Sequence, residues 1–181
     1  MSALRVAIPI VWIVFWVYWL VSAAGAKEGT RTGRTRPPGL VIVVLVLILT
    51  RVFRGANSLA VTAPVVQVVG AALFVAGLGL AVWARVYLGS NWGMPMTRKD
   101  EPELVTTGPY KYVRHPIYTG ILLGVLGTAL ATDLYWLIVL LILGVYFVHS
   151  ARVEERIMVD AFPADYPDYR SHTKMIVPLV Y

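Results

Sequence analysis

The chain has 181 residues, and with 58% of them hydrophobic, 14% charged and a mean hydropathy of +0.70, it is far too apolar for a soluble globular domain. It contains no cysteine, which excludes disulfides, thiolate metal sites and a thiol nucleophile together. Its net charge of +6 does not point to nucleic acid, because Lys and Arg fall in the gaps between apolar runs, where juxtamembrane charge belongs.

The pattern predicts an all-α integral membrane protein of about five transmembrane helices, each needing roughly 20 apolar residues to cross the bilayer. The first span is Ala7 to Ala24. Its Arg5 lead and the small residues Ala24-Gly25-Ala26 also resemble a signal peptide, but the aromatic cluster Trp12, Phe15, Trp16, Tyr18 and Trp19 favours a retained anchor. The second, Leu40 to Thr50 with shoulders from Pro37 to Phe53, is short and rich in Val, Ile and Leu. The third runs from about Ala60 to Ala84 and carries Gly70, Gly77 and Gly79, which let helices approach closely.

The last two spans form a C-terminal hairpin, Ile117 to Ala131 and Leu134 to Ser150, turning at Thr132-Asp133. The first of these rises only about 22 Å, less than the roughly 30 Å hydrocarbon core, so the loop before it is expected to be drawn toward the membrane. Placing 26–36, 85–115 and the tail on one side collects thirteen of the sixteen Lys and Arg, leaving Arg5, Arg51 and Arg54 on the other. By the positive-inside rule the crowded side is cytoplasmic. The loops leave no room for a separate soluble domain, so 1–181 is expected to be a single membrane-embedded domain: three N-terminal spans over 1–90, then loop, hairpin and tail over 91–181.

The loop itself is built to bind. Thr106-Thr107-Gly108-Pro109 is a turn signal, Tyr110 and Tyr112 offer flat faces, and His115-Pro116 stands where a helix begins. Free N–H groups at a helix start suit a carboxylate or phosphate. Aromatic faces attract a sulfonium or ammonium. Glu154 and Glu155 are expected just past the end of the other hairpin helix, near His115 if the hairpin is antiparallel. Adjacent residues on a helix point about 100° apart, so one acid should face the pocket and the other headgroups or a basic neighbour. These parts complement a zwitterion with an extra positive centre. Each also has a plainer role: Tyr110, Tyr112 and Tyr118 as interfacial aromatics, His115 as a helix cap, Arg114 as a snorkelling cation. His149, near the end of a span, is a functional suspect, whereas His172 is expected to be solvated. No metal-ligand spacing is present among the three histidines.

The stretch Leu104 to Gly120, LVTTGPYKYVRHPIYTG, resembles the RHPxYxG motif of the integral-membrane methyltransferases, the group containing isoprenylcysteine carboxyl methyltransferase and the phospholipid methyltransferases. Glu154-Glu155 followed by Phe162, Tyr166 and Tyr169 resembles the same group's C-terminal block. The resemblance covers roughly Met94 to Pro178, and 1–90 matches only as generic spans.

It implies S-adenosyl-L-methionine as methyl donor and a cofactor pocket made by the cytoplasmic loop and tail. Carried over, that pocket takes Leu104 and Val105 beside the adenine, then Tyr110, Arg114, His115, Pro116, Tyr118, Glu154 and Glu155. Arg114 could hold the cofactor carboxylate, pair with a tail acid or anchor the loop to headgroups. His115, Tyr118 or a tail acid would remove a proton where an acceptor needs it. Arg152 stands near the place of an arginine that holds the substrate carboxylate in the prenylcysteine enzymes. The implied acceptor is a lipophilic molecule or lipid-modified substrate entering from membrane lipids, most like an isoprenylcysteine carboxylate and next a phospholipid. Two departures stand out: Phe162-Pro163 replaces the usual Phe-Gly, and His149-Ser150-Ala151-Arg152 stands where that arginine is expected. Apart from these, Gly120, Gly124 and Gly127 line a stripe of the fourth span that forms either an acyl-chain groove or a close helix contact. A sterol-type reductase using a nicotinamide cofactor and a non-catalytic membrane adaptor are the competing classes.

Overall fold

The computed structural model describes residues 3–23, 29–31, 59–92, 97–99 and 103–177, and among these described residues the fold rests on four apolar helices. They are α1 (Ala3–Ala23), α2 (Pro64–Leu88), α3 (Pro116–Ala131) and α4 (Trp136–Ala161), followed by a short polar helix α5 (Asp165–His172). α1, α2 and α4 are long and apolar enough to cross a membrane, and α3 is a shorter apolar helix. With these spans the protein is an integral membrane protein. The predicted span over Leu40 to Thr50 lies outside the described residues.

Helix ends follow local chemistry. α2 begins with Pro64 at its first position and stops at Gly89, whose φ of 56° lies in the left-handed region that glycine adopts without cost. This shifts the third span about one turn toward the C-terminus from Ala60–Ala84. α4 corrects the sequence reading more substantially: it continues through Ala161, so Glu154 and Glu155 lie inside the helix and not just past its end. The segment from Ala151 to Ala161 holds Arg, Glu, Met and Ile and no helix breaker until Pro163, so nothing local stops the helix when the apolar run does.

α2 and α3 pack almost backbone to backbone. A Cβ at Gly77 would stand 2.6 Å from the Gly120 carbonyl oxygen, one at Gly120 2.6 Å from Ala81 N, and one at Gly127 2.6 Å from the Gly70 carbonyl oxygen. The stripe Gly120, Gly124, Gly127 is therefore chiefly a close helix contact and not an acyl groove, with Gly124 the looser position, facing Leu78 and Trp12 side chains. Gly79 meets nothing within 4 Å and takes no part in the contact. α1 docks on this pair through Trp12, which packs on Phe74 at 5.7 Å between ring centroids and donates from Nε1 to Thr128 Oγ1 at 3.1 Å.

The ends of the bundle are tied in a way that fixes relative sidedness. Arg5 pairs with Asp133 at 2.9 Å, while Val61 N donates to the Thr132 carbonyl and Leu134 N to that of Leu59. The N-terminus of α1, the entry to α2 and the α3–α4 turn thus share one end. At the opposite end β1 (Gly29–Arg31) pairs antiparallel with β2 (Thr97–Lys99), joining the two loops expected on one side.

Candidate active site at the base of the α3–α4 hairpin

Gly108, with φ 58°, opens a 3-10 turn over Gly108–Lys111 that brings Tyr110 inward. Tyr110 is buried at 7% exposure, its hydroxyl reaches the Ala84 carbonyl at 3.4 Å, and burial raises its pKa well above the ordinary tyrosine value. Its own carbonyl accepts a bond from the Tyr169 hydroxyl at 2.6 Å, and burial pushes that hydroxyl up to about 12. Tyr87 and Thr107 join hydroxyls at 2.7 Å above this turn.

The tail then straps the motif in place. Val113 bridges Lys174 in parallel, Arg114 N donates to the Lys174 carbonyl at 2.8 Å and His115 N to that of Met175 at 3.1 Å. Thr119 Oγ1 donates to the Ile176 carbonyl at 2.6 Å. Such a strap satisfies donors at the start of α3 that would otherwise be orphaned. His115 occupies the N-cap position, yet its side chain makes no capping bond, so the ring is available for other work.

That ring lies parallel to Tyr118 with centroids 5.4 Å apart, and Tyr118 stacks on Phe147 of α4 at 4.4 Å. Across the hairpin the Tyr118 hydroxyl donates to Glu154 Oε1 at 2.6 Å. Glu154 Oε2 is 3.4 Å from His115 Nδ1. His115 Nε2 is buried with no hydrogen-bond partner among the described residues, Glu155 Oε1 standing 3.8 Å away. Burial works against the imidazolium, but the two carboxylates outweigh it and hold the His115 pKa above its ordinary value.

Glu155 has a different task. Its Oε1 accepts from Arg114 Nε at 2.6 Å and its Oε2 lies 3.5 Å from Arg170 Nε. Arg114 also donates to the carbonyls of Arg170, at 3.2 Å, and of Thr173. Both partners are nearly buried, at 8% and 6% side-chain exposure. Of the three roles open to Arg114, the structure shows the pairing with a tail acid. The adjacent acids diverge as helical geometry requires: Glu154 turns to the aromatic stack and Glu155 to the basic neighbours.

Beside this pair opens a cavity of about 290 Å³ lined by Arg114, Arg152, Glu155, Arg170, Thr173, Lys174 and Met175. A second of about 450 Å³ shares Arg152, Glu155 and Arg170 and adds Arg156, Val159 and Asp160. Arg152 therefore sits on the exposed, basic side of α4, while Ser150 and Ala151 are buried. The site residues inferred from sequence thus fall into two groups. Tyr110, His115, Pro116, Tyr118 and Glu154 gather on the aromatic side, with Leu104 and Val105 half-buried in the loop leading in; Arg114, Glu155 and Arg152 lie on the basic side. His149 and His172 are exposed, His172 taking Asp168 as its partner.

Arg85 is a residue that sequence reasoning passed over as one loop cation among many. It is 5% exposed, donates to the carbonyls of Gly89 and Ser22, and lies 4.6 Å over the Trp92 ring. It joins the C-terminal ends of α1 and α2, where carbonyl dipoles favour a cation. Its one legible signal was its position: a cation four residues before the glycine that ends an apolar helix.

The residues on the aromatic side fit a cationic cofactor group. A half-buried carboxylate and aromatic faces suit a sulfonium and an amine, while the His115 Nε2, buried and without a hydrogen-bond partner among the described residues, suits the carboxylate of the same cofactor.

The family model for phospholipid methyltransferases matches residues 65–165. Over 117 residues the chain is 29% identical to the protein-S-isoprenylcysteine O-methyltransferase of Saccharomyces cerevisiae, covering 62% of this chain and 49% of that protein. Over 104 residues it is 31% identical to a cobalt-zinc-cadmium resistance protein of Cupriavidus metallidurans, covering 56% of this chain and 48% of that protein. The chain spans about half the length of the curated relatives it matches. The solved structure of the eukaryotic intramembrane Ras methyltransferase, isoprenylcysteine carboxyl methyltransferase, superposes with a TM-score of 0.61 at 22% identity, covering 81% of this chain and 54% of that one, which shows a shared fold.

Proposed function

The chain belongs to the phospholipid methyltransferase family, and on that premise we propose that it is an S-adenosylmethionine-dependent methyltransferase acting on a lipophilic acceptor within the membrane. The observation that carries the reading is the Tyr118 to Glu154 bond, which joins the RHPxYxG loop to the acidic pair and closes both motif blocks into one buried polar cluster. Tyr110, His115, Pro116, Tyr118 and Glu154 would hold the cofactor, with Leu104 and Val105 along its adenine. The cofactor, when bound, supplies an activated methyl on a sulfonium.

The protein's own share is positioning and the exclusion of water. Glu154 presents a carboxylate to positive charge, beside the Tyr118 ring stacked on Phe147. A carboxylate acceptor needs no base. For an amine, the path runs from the acceptor to the Tyr118 hydroxyl and its Glu154 partner, or to His115 Nε2, which is buried and unpartnered among the described residues. Arg152, which lines the basic cavity, would meet an acidic group on the acceptor.

The acceptor proposed first is a prenylcysteine-like carboxylate, after the yeast relative and the solved fold; a phospholipid amine is second, after the matching family model. The cation-rich end is proposed to face the cytoplasm. Titrating the purified protein with S-adenosylmethionine and with NADPH tests the class. Binding of the first alone, with label transfer from a methyl-labelled donor to a prenylcysteine analogue, supports the reading; binding of NADPH alone replaces it with the reductase, and binding of neither with the adaptor.

A further inference from the structure

The two sides of the site differ in charge, and the difference identifies a second ligand. The aromatic side presents a carboxylate. The adjoining cavities are lined by Arg114, Arg152, Arg156, Arg170 and Lys174 against the two acids Glu155 and Asp160, and although Glu155 pairs with Arg114 and Arg170, cations outnumber acids there. S-adenosylmethionine, with one carboxylate against an ammonium and a sulfonium, is a net cation and gains little from such a basin. A phosphate gains a great deal.

The basin also lies at a defined depth. α4 has 26 residues, a length of about 39 Å at 1.5 Å per residue, against a hydrocarbon core of roughly 30 Å. With Tyr135 and Trp136 at one interface, the turns that carry Arg152 and Arg156 emerge at the headgroups of the other. Arg170 on α5 lines both adjoining openings, and Lys174 in the strap lines the smaller one. We propose that this basin is a docking site for the phosphate of an anionic bilayer phospholipid, which seats α5 and the strap against the membrane. The inference does not depend on the methyl-transfer reading, since it concerns binding alone.

The test compares lipid enrichment around full-length protein, reconstituted in phosphatidylcholine nanodiscs with and without phosphatidylglycerol, and read by the lipid retained on mild extraction. Wild type should retain phosphatidylglycerol several-fold over its share of the bilayer. Arg156→Gln and Lys174→Gln should each lower that enrichment at least two-fold with an unchanged melting temperature in detergent, while Lys111→Gln, which removes an exposed cation outside the basin, should leave it as in wild type. No enrichment in wild type, or equal loss in all three variants, would reduce the basin to diffuse surface charge and overturn the proposal. Inorganic phosphate at millimolar concentration should not displace the lipid; full displacement would mark a site for free phosphate and equally overturn it.

Discussion

The Tyr118 hydroxyl donates to Glu154 Oε1 at 2.6 Å across the α3–α4 hairpin, while the next residue, Glu155, faces away from it and binds Arg114 at 2.6 Å. Two adjacent acids of one motif thus serve separate ends, the first the site and the second the frame that holds the site. Their substitutions should separate accordingly.

Glu154→Gln is expected to weaken S-adenosylmethionine binding by about tenfold with little change in melting temperature, because a charge-assisted contact contributes on the order of 1.5 kcal/mol. Tyr118→Phe keeps the stack on Phe147 and should cost less. Glu155→Gln leaves the Arg114 guanidinium buried without its counter-charge and should destabilise the fold by on the order of 3 kcal/mol. Calorimetric titration and thermal unfolding in detergent read the two effects. Identical behaviour of the two Glu→Gln variants would refute the division of roles.

The pH dependence of stability should carry a His115 contribution of definite sign. Its folded pKa is raised, so the stabilisation from pairing with Glu154 and Glu155 is fully present below the ordinary histidine value of about 6.5 and is lost as pH climbs through the folded value. Melting temperature should therefore fall across that window in wild type. His115→Gln should flatten the fall, and an unchanged profile in the variant would remove the assignment.

The glycine contact predicts opposite signs for neighbouring positions. Gly77→Ala places a methyl against the Gly120 carbonyl and should destabilise by about 1–3 kcal/mol through overpacking. Gly79→Ala, with open space around it, should be neutral or stabilise by about 0.5–1 kcal/mol through helix propensity. Thermal unfolding of both variants decides, and equal tolerance would indicate that α2 and α3 sit farther apart.

A stop codon at Thr173 removes the strap that accepts from Arg114 N, His115 N and Thr119 Oγ1. Cofactor affinity should drop by more than tenfold, while the α2–α3 contact survives. Hydrogen exchange should show lost protection at 113–119 and retained protection at 66–81; protection lost uniformly would mean the strap supports the whole fold.

Sidedness is tested by labelling cysteines introduced into this cysteine-free chain. The structure puts Asp133 beside Arg5 at one end of the bundle, and Lys111 in the motif loop at the other. Lys111→Cys should react from the cytoplasmic side and Asp133→Cys from the opposite side. Reaction of both from one side would break the arrangement.

Much of this protein was determined locally and was legible for that reason. Apolar runs, Pro116 at a helix start and the loop from Thr106 to Pro116 act through neighbouring residues, so the spans among the described residues, the hairpin and the motif follow from the chain alone. Two boundaries went astray: the third span was set about one turn early, the helix running from Pro64 to Leu88, and the apolar run stops near Ser150 while helix-forming residues continue to Ala161, because hydropathy does not determine where a helix ends. Tertiary structure decided the rest. Which acid serves the site depends on the rotation of α4 against Tyr118, 36 positions away, and the strap joins Arg114 to Thr173 over 59. Small glycines allow either a groove or a contact, and only the approach of α2 settled it, because the distance between two helices is a property of their packing and is written in neither one alone.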